Sequence, residues 1–565
     1  MTAEAKPRTT ARGATLLERV RRPTAAGWTL AGILVGALVL RLWSIRHGMP
    51  WAFNYDEEHH FVPPAVSMLG GSLNPGYFEN PPALTYLLFG VFKLRFHAGF
   101  PFGASGFVRH FKNDPESAFV TARIVVALLG TLAVWLVHWA GSRYYGRRVG
   151  LLAAALVACA FLPVFYSKQA LNDVVTLVPL TVALGACLLV YERGRALDWA
   201  LAGGAIGVAT ATKYTAGAMV AVLAIAALLR LRDRRDDLGA LVRGAVIAGV
   251  LFVLLFLLLN PYSLIDFSKF KSQVGGQSAT AGGLAKLGQD DVPGWLYYLW
   301  TLTWGFGWIP LAAAVGGAVV ALRSDWRRGA LLIVFPIVLW LFLGGQARYF
   351  GRWFLPAYPA LAILAAYGMV RLVDWFVARR GAVQAAPALL VAAGFLLVVQ
   401  GLAASVRVDS VLAHTDTRTL TREWLARNVP QGSGLVAEPF FPSGFFTTGG
   451  RRAPDRYRLY PIKPPFQGYE KKLTPGLIDT YRSQRYCWVV TGTYQEGRGL
   501  KAGLANAKAY YSRLDAESET VAVFSPWYAG EGPVEFNFDH SFDYYPRAYR
   551  RPGPLIEVHH LNGCR

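Results

Sequence analysis

The stretch Gly239–Leu259, GALVRGAVIAGVLFVLLFLLL, carries a single charged residue, Arg243. It is close to the roughly 20 residues that an α-helix needs to cross ~30 Å of hydrocarbon. Similar runs recur from about Trp28 to Ile45 and at 118–141, 150–167, 174–191, 199–212, 214–231, 295–322, 329–345, 353–371 and 386–405. With 239–259 they make about eleven expected spans. The fold class is therefore an α-helical polytopic membrane protein. Composition agrees: 54% of the residues are hydrophobic and only 16% charged, where soluble domains carry about a quarter. The mean hydropathy is +0.32.

A formal net charge of +22 over 565 residues invites a nucleic-acid reading. The distribution argues against it. The basic residues fall in short turns between apolar runs: Arg143–Arg148, Arg193–Arg195, Arg230–Arg235, Arg323–Arg328, and Arg379 with Arg380. The positive-inside rule places such turns in the cytoplasm. Residues 1–26, with Arg8, Arg12, Arg19, Arg21 and Arg22, then form a cytoplasmic tail. The first run contains Arg41 and is not followed by a convincing small-residue cleavage site, so it reads as an uncleaved span. An odd span count leaves the C-terminus outside, in a plasma membrane.

Three regions follow: the tail 1–26, a membrane domain 27–405 and an outer region 406–565. Within the membrane domain, 46–117 is a long outer loop. It contains a shorter apolar piece, Ala83–Phe96, broken by Lys93 and Arg95 and expected to lie in the headgroup plane. A full span there would turn the basic turns outward. In 406–565 the apolar runs stop. Strand-like Gly434–Ala437, Cys487–Thr491 and Thr520–Phe524 accompany a helix-like Asp416–Asn428, as in a small α/β domain. The stretches YRLYPIKPPF and FDYYPRAYRRPGP are dense in aromatics and prolines. Cys159 and Cys187 lie in apolar runs and read as packing residues. Cys487 and Cys564, on the outer side, are able to form a disulfide.

Five polar residues converge on the outer face in this topology: Asp56, Glu79, Asp173, Lys213 and Arg348. Charges at membrane depth that gather on one side read as a site. Tyr55-Asp56-Glu57-Glu58-His59-His60 and Tyr77-Phe78-Glu79-Asn80-Pro81-Pro82 supply carboxylates between aromatics. A carboxylate held there suits a general base acting on a hydroxyl, although solvated loop acids are the ordinary alternative. Asp56 with His59 or His60 is spaced for a shared metal, yet headgroup contact is the more ordinary role of two interfacial histidines. Lys213 interrupts an apolar stretch, where a snorkelling lysine is usual. Together with Arg348 and Arg352 around Tyr349, it offers cations suited to phosphate.

These segments resemble the GT-C glycosyltransferases of the protein O-mannosyltransferase type (glycosyltransferase family 39-like), including the bacterial lipid A aminoarabinose transferase. Asp56-Glu57 resembles the family's Asp-Glu pair, and Phe78-Glu79-Asn80-Pro81 its Phe-Glu-Lys-Pro segment. Ala170-Leu171-Asn172-Asp173 resembles the segment with a second acid. Ala211-Thr212-Lys213 resembles Leu-Thr-Lys, and Arg348-Tyr349 with Leu355-Pro356 the late Arg-Tyr and Leu-Pro motif. The likeness covers about 28–405, and the outer region resembles the outer domain of many bacterial members. One departure is Asn80, where the family often has lysine.

The resemblance implies transfer of a sugar, with inversion, from a polyprenyl-phosphate donor to a protein, glycan or lipid acceptor at the outer face. Asp56, Glu57 and Glu79 are the expected catalytic residues, with Asp56 as base. Asp173, Lys213, Arg348, Tyr349 and Arg352 are the expected substrate-binding residues, Lys213 and Arg348 on the donor phosphate. Membrane lipids are the surroundings and no nucleic acid is expected; the chemistry need not use a metal, and a divalent metal is an open alternative that no strong ligand cluster supports. The competing class is a lipid or sugar transporter or flippase, which also lines cavities with charge. The lack of an inverted hydropathy repeat and the size of the outer region weigh against it.

Overall fold

In the computed structural model, residues 25–99, 103–234, 238–442, 444–448, 453–462, 468–539 and 545–564 are described. The expected tail up to residue 24, Arg235 and parts of the two aromatic, proline-rich stretches lie outside them. Among the described residues, 9 helices are long and apolar enough to cross a membrane. The other two expected spans are shorter: Ala196–Thr212 has 17 residues, and 150–167 appears as Arg147–Cys159 followed by Phe161–Tyr166. The piece expected in the headgroup plane is a helix, Ala83–Gly99. The last apolar helix, Ala386–Leu412, continues past residue 405.

The break between Arg147–Cys159 and Phe161–Tyr166 explains Arg41 in the first span. Breaking a helix in a dry interior strands its last carbonyls. Arg41, fully buried, donates to Val157 O at 3.2 Å, Ala158 O at 3.1 Å and Ala37 O at 3.0 Å. Beyond the break, Lys168 pairs with Asp409 at 3.0 Å and donates to Trp43 O at 2.9 Å. First span, broken helix and last helix are thus clamped together. Elsewhere glycine permits close approach. A Cβ on Gly203 would lie 2.1 Å from Ala248 O, so Ala196–Thr212 rides directly on Leu238–Leu259.

The two ends of the bundle differ in charge. At one end Glu192 accepts from Arg328 at 2.7 Å and from Arg143 at 3.2 Å, Arg148 meets Asp374 at 3.0 Å, and Arg327 pairs with Asp233. These are the basic turns read from the sequence. At the other end lie Asp56, Asp173 and Lys213. The segment Asn172–Glu192, 21 residues, separates the two ends; at 1.5 Å per residue it spans about 30 Å.

The outer region carries a mixed five-stranded sheet: β1 (Gly434–Ala437), β2 (Arg458–Leu459), β3 (Trp488–Gly492), β4 (Ser518–Phe524) and β5 (Ile556–Leu561). The order is β2-β1-β3-β5-β4, with β1 parallel to β2 and β3, and β5 antiparallel to β3 and β4. The helix Thr417–Asn428 starts on Asp416, whose side chain accepts from Arg418 N. Cys487 and Cys564 form a disulfide beside the β3–β5 pair, while Cys159 and Cys187 are free.

Candidate active site

Asn54 shapes the start of the site. Its Oδ1 accepts from the N–H groups of Asp56 at 3.0 Å and Glu57 at 3.2 Å, and its Nδ2 donates to Gln169 Oε1 at 2.7 Å. A single π-helical turn, Glu57–Phe61, follows. Such turns re-aim side chains, and here the neighbouring carboxylates go to different surroundings.

Glu57 goes inward and is fully buried. Arg123 grips both of its oxygens, Nε to Oε1 at 2.7 Å and Nη2 to Oε2 at 2.8 Å, and Ala170 N donates to Oε1 at 2.9 Å. Arg123 Nη1 donates to Ile45 O at 2.9 Å and His47 O at 2.8 Å. This fork-to-fork pair fastens the outer loop to the bundle.

Asp56 keeps 29% of its side chain exposed. Arg352 Nη2 donates to its Oδ2, and His60 Nε2 lies 3.7 Å from Oδ1. Arg352 also approaches Asp173 Oδ2, at 3.8 Å from Nε, and Asp173 Oδ1 accepts from Lys213 Nζ. The run His60–Asp56–Arg352–Asp173–Lys213 is one chain of alternating charge. Burial pushes the Asp56 carboxyl up, but Arg352, His60 and Lys286 outweigh it and hold it below its ordinary value.

The aromatics of the loop that anchors the site are shared between the outer domain and the bundle. Trp51 packs edge-on to Phe445 at 5.1 Å, and the Arg418 guanidinium sits 3.6 Å from the Phe53 ring centre. The outer domain therefore holds Trp51 and Phe53, because it offers them an aromatic and a cationic face. Phe61 instead joins the membrane core.

Glu79 is exposed, in a loop tied to the helix Phe267–Gly283 by Phe78 N donating to Gln273 Oε1 at 2.6 Å. Burial and Asp56 raise its carboxyl, against Arg348 and Lys286. Asn80, the departure from the family pattern, donates to Tyr77 OH at 2.9 Å, and the Tyr77 ring stacks on His60 at 4.3 Å. Asn80 thus braces the aromatic wall beside Asp56. Tyr349 is buried, stacked on Tyr297 at 3.9 Å, with its hydroxyl donating to Asp290 O. It supports a loop and does not open onto the site.

Arg348 is fixed through its backbone, N to Ala281 O at 3.0 Å, and its buried Nε has no hydrogen-bond partner among the described residues. Beside it is a cation that sequence reasoning missed, Lys286. Burial, then Arg348, push its ammonium down to about 7, against the pull of Asp56. Lys286 lies in no recognisable motif. Arg123 was the legible omission, as a charged residue inside an apolar run. Among the described residues, the His and acid grouping close enough to share a metal is Asp515, Glu557 and His559, in the outer domain.

Chemically, the site offers an ionised carboxylate with one face open and cations close by.

Residues 115–260, which carry Arg123, Asp173 and Lys213, match the family model described as dolichyl-phosphate-mannose-protein mannosyltransferase. No curated protein sequence matches the chain. Among solved structures, the archaeal oligosaccharyltransferase AglB from Archaeoglobus fulgidus, in complex with an inhibitory peptide and a dolichol-phosphate, is similar with a TM-score of 0.57 at 12% identity, over 91% of this chain and 74% of that one. ArnT from Cupriavidus metallidurans, bound to undecaprenyl phosphate, is similar with a TM-score of 0.50 at 15% identity, over 95% of this chain and 98% of that one. The chain has the GT-C fold, the architecture of these membrane glycosyltransferases.

Proposed function

We propose that this protein is an integral membrane glycosyltransferase that moves a sugar from a polyprenyl-phosphate donor to an acceptor hydroxyl, with inversion. The observation that carries the reading is the ionised Asp56 within reach of Lys286, with Arg348 beside Lys286, two cations that lack carboxylate partners within ion-pair distance among the described residues. Phosphate-bound lipids in AglB and ArnT support the choice of donor. Both of those proteins are transferases, which favours this reading over a transporter.

In the reaction, the acceptor oxygen attacks the anomeric carbon and Asp56 takes its proton. The bond between that carbon and the phosphate oxygen breaks, and polyprenyl phosphate leaves with the electron pair. Arg348 and Lys286 stabilise the charge it gains. Glu79, beside both cations, is placed to meet the sugar. Lys213 and Asp173 act one step back: their pairing sets how much of Arg352 remains with Asp56. Glu57 positions Asp56 through the loop it anchors. The arginine-rich end faces the cytoplasm, and the site with the outer domain faces outward.

Replacing Arg348 with alanine weakens binding of undecaprenyl phosphate by roughly ten- to a hundredfold, the range for one charge-assisted contact, with helix content unchanged. Calorimetry on the purified protein measures it, and parental affinity would remove Arg348 from the phosphate site. Lys286 adds a pH signature. Its ammonium is protonated below about 7 and neutral above, so donor binding weakens as pH rises through that value. Lys286→Arg removes this dependence.

For orientation, alkaline phosphatase fused at the C-terminus is active, and a fluorescent protein that matures only in the cytoplasm stays dark. The reverse pattern would contradict the outward-facing site.

A further inference from the structure

A cleft of about 430 Å³ lies at the seam between the membrane domain and the outer domain, within the range of small-molecule sites. Its lining carries Lys286, Gln289 and Arg348 from the membrane domain and Lys471 and Arg498 from the outer domain, and no acidic side chain. The seam is built for close approach. Gly288, at φ +73°, lets the loop close onto the outer domain, and a Cβ there would lie 3.1 Å from Arg498 O. Lys501 pairs with Asp290 across the same seam. Arg498 is held by Glu470, Nε to Oε1 at 2.6 Å, and by Gln495.

Charge pairing separates the cations of this region. Lys213, Arg352, Arg498 and Lys501 each have an acidic partner. Lys286, Arg348 and Lys471 have none within ion-pair distance among the described residues, and all three line the cleft. Uncompensated like charges around a partly enclosed space raise the local concentration of anions. The inner pair, Lys286 and Arg348, is the one that acts on Glu79, and Lys286 also on Asp56. Lys471 stands apart from them, on the outer domain.

We propose that Lys471, on the wall of the cleft that also carries the Glu470-paired Arg498, is the cation of a second anion subsite, outward of the donor phosphate, which takes a phosphate or carboxylate. It rests on the donor reading above, which assigns the inner cations. The anion comes either from an acidic acceptor or from a second phosphate on the donor lipid, and the chemistry of the subsite is the same for both.

The test uses the full chain in nanodiscs, with undecaprenyl phosphate, undecaprenyl pyrophosphate and glucose 6-phosphate as probes and glucose as the uncharged control. Lys471→Glu is compared with Lys472→Glu, an equal charge change at an exposed neighbour outside the cleft. Neither variant alters undecaprenyl phosphate affinity. If the anion belongs to the acceptor, glucose 6-phosphate binds the undecaprenyl phosphate complex, glucose does not, and Lys471→Glu alone weakens binding about tenfold or more. If it belongs to the donor, Lys471→Glu alone weakens undecaprenyl pyrophosphate by a similar factor. The proposal is overturned if neither probe responds to Lys471→Glu, or if Lys472→Glu has the same effect. A parent that fails to bind undecaprenyl phosphate yet binds glucose 6-phosphate through Lys471 would sink the donor reading and keep the subsite.

Discussion

Asp56→Asn abolishes sugar transfer and leaves binding of polyprenyl phosphate nearly intact. The substitution keeps the shape of the side chain and removes the group that accepts the hydroxyl proton, a loss of typically 10²–10⁴ in rate. The phosphate is assigned to Arg348 and Lys286, so the donor still docks. Arg352, released from Asp56, still has Asp173 within 3.8 Å and does not become a stranded charge. The measurement follows a sugar-labelled polyprenyl-phosphate donor with a membrane extract as acceptor, next to lipid binding by the same protein. Transfer at near the parental rate would remove Asp56 from the mechanism and move attention to Glu79 and Asp173. The same assay distinguishes the acid limb. Because Arg352 and its neighbours hold the Asp56 carboxyl low, activity lost through its protonation falls only at pH below the ordinary aspartate range.

Glu57→Ala has a different consequence, loss of the folded protein. Glu57 is 0% and Arg123 1% exposed, and alanine leaves the guanidinium buried without its carboxylate. Breaking such a pair from one side costs about 3–5 kcal/mol. The turn that carries Glu57 then loses its hold on Arg123 and on Ala170 N, and Asp56 loses its place with it. Thermal unfolding in detergent should show a large drop for Glu57→Ala and for Arg123→Ala. The double variant Glu57→Met with Arg123→Met should recover much of it, since two well-packed apolar side chains carry no stranded charge. A Glu57→Ala protein as stable as the parent, but inactive, would instead return Glu57 to the chemistry.

The contrast between these adjacent carboxylates shows where sequence reading reaches its limit. Apolar runs of near-spanning length are local, so the helices were legible, and so were the strand-like Gly434–Ala437 and Cys487–Thr491 of the outer domain, the second shifted by one residue to Trp488–Gly492. The difference between the two ends of the bundle was legible as well, because arginines in short turns mark one of them. What was not legible is the direction of each side chain. Asp56 and Glu57 look equivalent in the chain, and only the π-helical turn with Arg123 sends one inward. Lys213 reads as a phosphate ligand until Asp173 is seen to hold it. Lys286 escapes notice because it gains its meaning from Arg348, Asp56 and Arg498, far away in sequence. β5 was also missed: Ile556–Leu561 lies behind a proline- and glycine-rich stretch, and pairing with β3 and β4 makes it a strand.

The most direct test of the central claim is native mass spectrometry of the purified, detergent-solubilised chain, with the bound lipid released and fragmented. The account predicts a polyprenyl phosphate or its sugar-linked form at one per chain, depleted in Arg348→Ala. After incubation with sugar-linked donor and a membrane extract that supplies the acceptor, the sugar mass should leave that lipid in the parent and stay on it in Asp56→Asn. A chain that retains no phosphate-bearing polyprenyl lipid, or one that binds the sugar-linked lipid and never separates the sugar from it, would contradict the account.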